Sequence, residues 1–256
     1  MLLTPLEQFQ VISLFSITLL NLDFSFTNVL LINFLTLLFF INIVFFFSAD
    51  TNYLEKTPFY LIPNAWQVLI ETIYDVVSQL LFDNINMEGE KYFPYISVIF
   101  IFILFSNLIG LIPYSFTVTS HIIITFTLSF SIFICVNIIG FQKHKLNMFS
   151  LIIPANSSFA LALVLVPIEF VSYIAKPVSL GVRLFINLMA GHTLLKVIVG
   201  FAWSMLLLED LMAFIHLIPL LLLVVLMGLE LGVALIQAYV FTILTCIYLN
   251  DSINLH

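Results

Sequence analysis

Long apolar runs broken by short polar stretches set the organisation of this chain. The first run, Val29 to Phe47, is long enough for one membrane-crossing helix over 28–48. Asn33 and Asn42 inside it read as residues that hydrogen-bond to neighbouring helices. A different pattern begins at Pro63-Asn64. Asn64, Gln67, Glu71, Asp75, Ser78/Gln79 and Asp83 recur at spacings of three and four, with apolar residues between them. That spacing predicts an amphipathic helix over 64–84, capped by Asn64 and lying on a membrane surface. Phe93–Pro113 and His121–Phe141 are two further apolar segments, a hydrophobic hairpin over 92–141 closed by the polar loop Gln142-Lys143-His144-Lys145. Residues 1–26 are apolar but interrupted by Glu7, Gln8, Gln10, Asn21 and Asp23, and read as a short interfacial segment.

The remainder poses a length problem. Ser157 to about Leu208 holds no polar loop, and a helix that long spans ~75 Å against a hydrocarbon core of ~30 Å. Residues 211–249 repeat the problem at ~58 Å. Either each stretch breaks into two spans, near Pro167/Pro177 and Pro219/Gly228, or each is one steeply tilted helix. Glu209-Asp210, the only consecutive charged pair of this remainder, marks the connection.

Composition narrows the class. Hydrophobic residues make up 62% of the 256 and charged residues 8%, far below the roughly 25% of soluble domains. A soluble globular enzyme, a disordered chain and a membrane barrel are all excluded, and a helical polytopic membrane protein of one domain, 1–256, remains. Net charge is −7 and Arg183 is the only arginine, so nucleic acid has no electrostatic footing. Cys135 and Cys246 stand alone in apolar runs as small buried residues, and neither they nor the five histidines suggest a metal, haem or other cofactor. Phe is 28 of 256, with much Ile, Leu and Asn, all residues of AT-rich codons. Together with the absence of a basic leader, this predicts synthesis inside an organelle or a bacterium. A nuclear gene with a removed leader would contradict it.

Charge placement adds orientation. Lys56, Lys91, Lys143 and Lys145 fall on one side if the amphipathic helix does not cross, which puts the N-terminus on the other side. The long stretches carry the costly charges. Glu169, Lys176 and Arg183 are seven apart and line one helix face, with Asn187 four beyond Arg183. Glu230 and Gln237 are seven apart, and Asp251 is fourteen further. In an antiparallel hairpin turning near 210, Arg183 comes level with Gln237, Glu169 with Asp251, and His192 with Glu230. Intramembrane ionisable residues mark ion paths. Lys196, His121 and His216 read as structural or rim residues.

The run from Lys176 through Pro177, Gly181, Arg183, Asn187 and Gly191 to His192 resembles the signature of subunit a of the F-type ATP synthase. Glu230 to Gln237 and on to Thr245 is similar to that family's last helix, and Ser106-Asn107 to Pro113 and Ser120-His121 also fit. The resemblance covers roughly residues 55–256, in the mitochondrial form. It implies the tilted solution: one N-terminal transmembrane helix, a surface helix, a short hydrophobic hairpin, and a long hairpin over 157–250 that wraps a rotating ring of c subunits. It implies a non-enzymatic proton channel subunit of the mitochondrial inner membrane, with the N-terminus toward the intermembrane space. Peripheral-stalk and other membrane-sector subunits would be its further partners beside the lipid bilayer. By resemblance Arg183 faces the ring carboxylates, with Gln237 and Asn187 supporting it. His192 and Glu230 would line the entrance half-channel, and Glu169 and Asp251 the exit. The alternatives are a self-contained secondary transporter, for which no internal repeat is present, and a structural subunit of a respiratory complex.

Overall fold

The structure, a computed structural model, describes residues 9–19, 22–49, 65–112, 116–145, 148, 159–206 and 217–254. Six helices carry the fold: α1 (Asn28–Ala49), α2 (Ala65–Ile85), α3 (Phe93–Gly110), α4 (Ile122–His144), α5 (Phe159–Leu206) and α6 (Leu217–Ile253). Among the described residues, four stretches are long and apolar enough to cross a membrane: Gly89–Gly110, Ile122–His144, Leu163–Leu206 and Leu217–Ile253. A further apolar helical stretch, Asn28–Phe39, lies in α1. The chain is thus an all-α polytopic membrane protein in its main body.

The N-terminal segment departs from that description. Ser13–Phe15 (β1) pairs antiparallel with Phe26–Thr27 (β4), and Thr18–Leu19 (β2) with Leu22–Asp23 (β3). The expected interfacial segment is therefore a small β-hairpin. Ile, Val, Thr and Phe over 11–19 favour extended backbone.

Each long stretch is one continuous helix. Pro167 and Pro177 lie inside α5, and α6 runs unbroken through Pro219 and Gly228. At 48 and 37 residues they measure ~72 and ~56 Å. The split into shorter spans does not occur. The proposed turn at Glu209-Asp210, the Asn64 cap, Lys56 and His216 lie outside the described residues.

The core gathers around α6. Its buried face, Ala234, Gln237, Ala238, Phe241, Thr245 and Leu249, is spaced by threes and fours and meets α2, α3, α4 and α5. From α3 come Ile96, Phe100, Ile103 and Leu104, and from α2 come Val77, Leu81 and Ile85. Asn107 Nδ2 donates to Ala234 O at 3.4 Å. Gly181 brings α5 against α4: a Cβ there would lie 2.6 Å from Ser129 Oγ and 3.1 Å from Thr125 O. Small residues at a membrane helix crossing allow such an approach.

Several local expectations change. Asn42 Nδ2 donates to Leu38 O of its own helix at 2.9 Å, not to a neighbour. The predicted polar loop 142–145 is mostly the last turn of α4, ended by Lys145 at φ 51°. Cys246 is buried, but Cys135 faces outward on α4.

Candidate functional site

Leu180, Gly181, Leu184 and Leu188 form the buried stripe of α5, packed toward α4 and α6. Arg183 precedes Leu184 by one residue, a rotation of about 100°, and so stands exposed beside the packed face. Among the described residues no carboxylate lies within ion-pair reach of its guanidinium, the one such pair being Lys176–Asp251. Ile186, three residues on, is 51% exposed on the same outward side.

Beside this charge the helices are joined by an amide pair. Asn187 Nδ2 donates to Gln237 Oε1 at 2.8 Å. Gln237 is buried, so its carbonyl oxygen needs a donor, and the exposed Asn187, one residue before the buried Leu188, reaches it. The level pairing of Arg183 with Gln237 is thus replaced by Asn187 with Gln237.

Toward the C-terminal end of α6, Lys176 Nζ lies 3.2 Å from Asp251 Oδ2. The rings of Tyr173 and Tyr248 flank the ammonium, 5.7 and 5.2 Å from it to their centroids. Such rings attract a cation through their electron-rich faces. Tyr173 in turn donates its hydroxyl to Asn137 Oδ1 on α4. The His144 ring donates to Ile253 O at 2.6 Å. Asp251 was expected level with Glu169, but two carboxylates at one depth repel, and a lysine stem can reach across. Glu169 is half-buried two turns before Lys176, with no ion-pair partner among the described residues.

The opposite end is held by shape. A Cβ on Gly191 would lie 2.8 Å from Glu230 Oε1 and 3.2 Å from its carboxyl carbon, so the carboxyl group rests on the α5 backbone. His192 is the next residue. The third expected pair is therefore near-neighbours, with no hydrogen bond between them described. His192 Nε2 is buried without a partner, and its ring meets Phe9 edge-on at 6.5 Å between centroids. The contacts 191/230, 187/237 and 176/251 use fifteen residues of α5 against twenty-one of α6. The register between the two helices thus drifts along the contact, where the level pairing assumed a constant one.

His121 precedes α4 and stacks on Phe116 at 5.0 Å. Burial pushes its imidazole below the ordinary range. Among the described residues no cluster of three His, Cys, Asp or Glu could hold a metal. Sequence reasoning missed Tyr173, Tyr248, Asn137 and Phe9. Tyr173 could have been found: it lies three residues before Lys176, on the same helix face. Tyr248 stands in the same relation to Asp251, and nothing local flagged Asn137 or Phe9.

A family model described as ATP synthase A chain matches residues 30–250. The chain is similar to ATP synthase subunit a of Marchantia polymorpha, 50% identical over 256 residues that span 99% of each. It is 48% identical to ATP synthase subunit a of Chondrus crispus over 99% of this chain and 97% of that one. With ATP synthase subunit a-2 of Arabidopsis thaliana it shares 50% identity over 99% of its own length and 72% of the longer relative.

Proposed function

The chain belongs to the ATP synthase A chain family, and from that premise we propose that it is the proton-translocating stator subunit of the enzyme's membrane sector. It carries out no bond chemistry itself. It conducts protons to and from a rotating ring of c subunits, in the mitochondrial inner membrane, with the N-terminus toward the intermembrane space. The tilted α5 and α6 wrap that ring, and peripheral-stalk and other membrane-sector subunits dock outside it. The polar stripe of α2 is a docking face for such subunits or for lipid headgroups.

One observation carries the reading. The only arginine of the chain stands exposed beside a buried helix stripe, with no carboxylate of the described residues paired to it. A guanidinium stays protonated at any accessible pH, so Arg183 is a fixed positive charge. An opposite charge favours the ionised form of a carboxylate. A ring carboxylate reaching Arg183 from one side gives up its proton to the exit path. One leaving on the other side takes a proton from the entrance path. Arg183 also repels protons and separates the two paths. The Asn187–Gln237 amide pair stiffens the helix contact one turn away.

His192 and Glu230 form the entrance half-channel, and Glu169 and Asp251 the exit. The lysines agree with that sidedness. Lys143 and Lys145 flank His144, which is bonded to Ile253 at the Asp251 end. Phe9 of the N-terminal segment meets the His192 end.

The test is proton-driven ATP synthesis in inner-membrane vesicles carrying Arg183→Ala. Synthesis falls by at least about 100-fold, the scale of losing a preorganised charge. Coupled synthesis at the unmodified rate defeats the reading.

A further inference from the structure

The His192 ring meets Phe9, just ahead of the N-terminal β-hairpin, and the contact is built rather than incidental. It starts at Asn28, the first residue of α1. Asn28 Oδ1 accepts from Val29 N at 3.0 Å and from Ile12 N at 3.2 Å. Its Nδ2 donates to Gln10 O at 3.2 Å. The backbone adds Asn28 N to Ile12 O at 3.1 Å and Phe24 N to Ile17 O at 2.8 Å. One side-chain amide therefore ties the start of a membrane helix to Gln10 and Ile12 across the hairpin. Asn is suited to the task, since it can accept and donate at once. Phe9 is the neighbour of Gln10, so fixing Gln10 fixes the ring that meets His192.

That ring lies edge-on to the imidazole, at 6.5 Å and 65°. An aromatic edge is electropositive and prefers an electron-rich face, which gives the contact a definite geometry. On its other neighbourhood His192 follows Gly191, where the Glu230 carboxyl rests. Among the described residues His192 Nε2 meets no hydrogen-bond partner in its buried position. An imidazole able to turn freely could present that nitrogen in several directions. One held between a fixed phenyl ring and its own helix cannot.

We infer that Phe9 is a positioning residue for His192: its ring, held next to the hairpin that Asn28 pins, covers one side of the imidazole at the entrance path. This inference rests on the proposed entrance role of His192 and Glu230. Phe9 exchanges no proton. It fixes where the proton-accepting nitrogen points and from which side a proton reaches it.

The readout is chemical accessibility of His192 in the assembled complex. Diethyl pyrocarbonate modifies an accessible neutral imidazole, and mass spectrometry of the His192 peptide gives the rate. Phe9→Ala raises that rate about tenfold, as expected when a local cover is removed. Phe9→Trp, which restores a ring, returns it to within about twofold of the unmodified chain. Asn28→Ala, which frees Gln10 without touching His192, raises it by a smaller factor. A Phe9→Ala rate equal to that of the unmodified chain overturns the inference, as does a Phe9→Trp rate as high as that of Phe9→Ala. If Phe9→Ala prevents assembly, Asn28→Ala alone decides: no change in its His192 rate overturns the inference. Arg183→Ala run in parallel separates the two claims. Coupled synthesis in Arg183→Ala defeats the channel reading whatever the labelling shows. Loss of synthesis there, with an unchanged His192 rate in Phe9→Ala, defeats only the role of Phe9.

Discussion

At the end of the long helix pair that carries Lys176 and Asp251, polar ties join three helices: the ion pair, the two flanking tyrosine rings, the Tyr173–Asn137 bond and the His144–Ile253 bond. At the end that carries His192 and Glu230, the described structure has no such tie. A missing Cβ makes room for a carboxyl group, and a phenyl edge meets an imidazole. Both ends hold ionisable residues in an apolar pair of helices, yet one is fixed by charge and the other by shape. A group held by a counter-charge is committed to it. A group held only by the space around it keeps its lone pairs and protons free for exchange. On the proposed function, His192 and Glu230 are then the groups free to move protons, while Asp251 is held in place by Lys176.

The largest effect should come from filling the space at the shape-held end. Gly191→Val puts a branched side chain where the Glu230 carboxyl now lies. Only the far end of a flexible side chain has to move, so the amount of assembled complex should stay within about twofold, while ATP synthesis falls about 100-fold from a displaced group. Equal losses of assembly and synthesis would place Glu230 in a merely structural role. At the charge-held end Lys176→Met should act on stability first. It should cost about 1 kcal/mol, the scale of a partly exposed ion pair, read as earlier thermal release of the subunit from the purified complex. Lys176→Met with Asp251→Leu should regain most of that loss, because no lone charge then remains. Tyr173→Phe removes a single neutral hydrogen bond, and about 1 kcal/mol is expected by the same measurement.

The smallest effect concerns His121, near the start of α4. Burial lowers its proton affinity in the fold, so the neutral ring is the stabilising form. Its contribution is whole above the ordinary value of 6.5 and is lost as pH falls through the lower value of the folded state. Amide protection over residues 116–121, corrected for the intrinsic pH dependence of exchange, should therefore fall on acidification below about pH 6, and His121→Asn should remove that dependence.

Much of this architecture was legible in the sequence. Apolar run lengths gave α3 and α4, and the three-and-four spacing gave α2 to within a few residues. Continuity of α5 and α6 was one of two open solutions, because proline inside a membrane helix is tolerated when neighbouring helices repack around it. The polar stations were found, but not their partners. Equal-depth arithmetic assumed one constant register, and the pairing of α5 with α6 drifts along the contact. Lys176 takes Asp251, and Asn187 takes Gln237, because donors and opposite charges outcompete simple level. The β-hairpin was missed, since its strands are too short for a period to emerge. Phe9 was invisible because nothing in its surroundings points 183 residues along the chain to His192.

The central claim is that the outward face of α5 bearing Arg183 is the surface past which ring carboxylates move. Single cysteines at Ile186, 51% exposed on that side, and at Leu184, fully buried beside it, offer the most direct test, paired with a cysteine next to the ring carboxylate. Oxidation of the assembled complex should cross-link Ile186→Cys to the ring and leave Leu184→Cys free. Cross-linking at 184 with none at 186 would contradict the account.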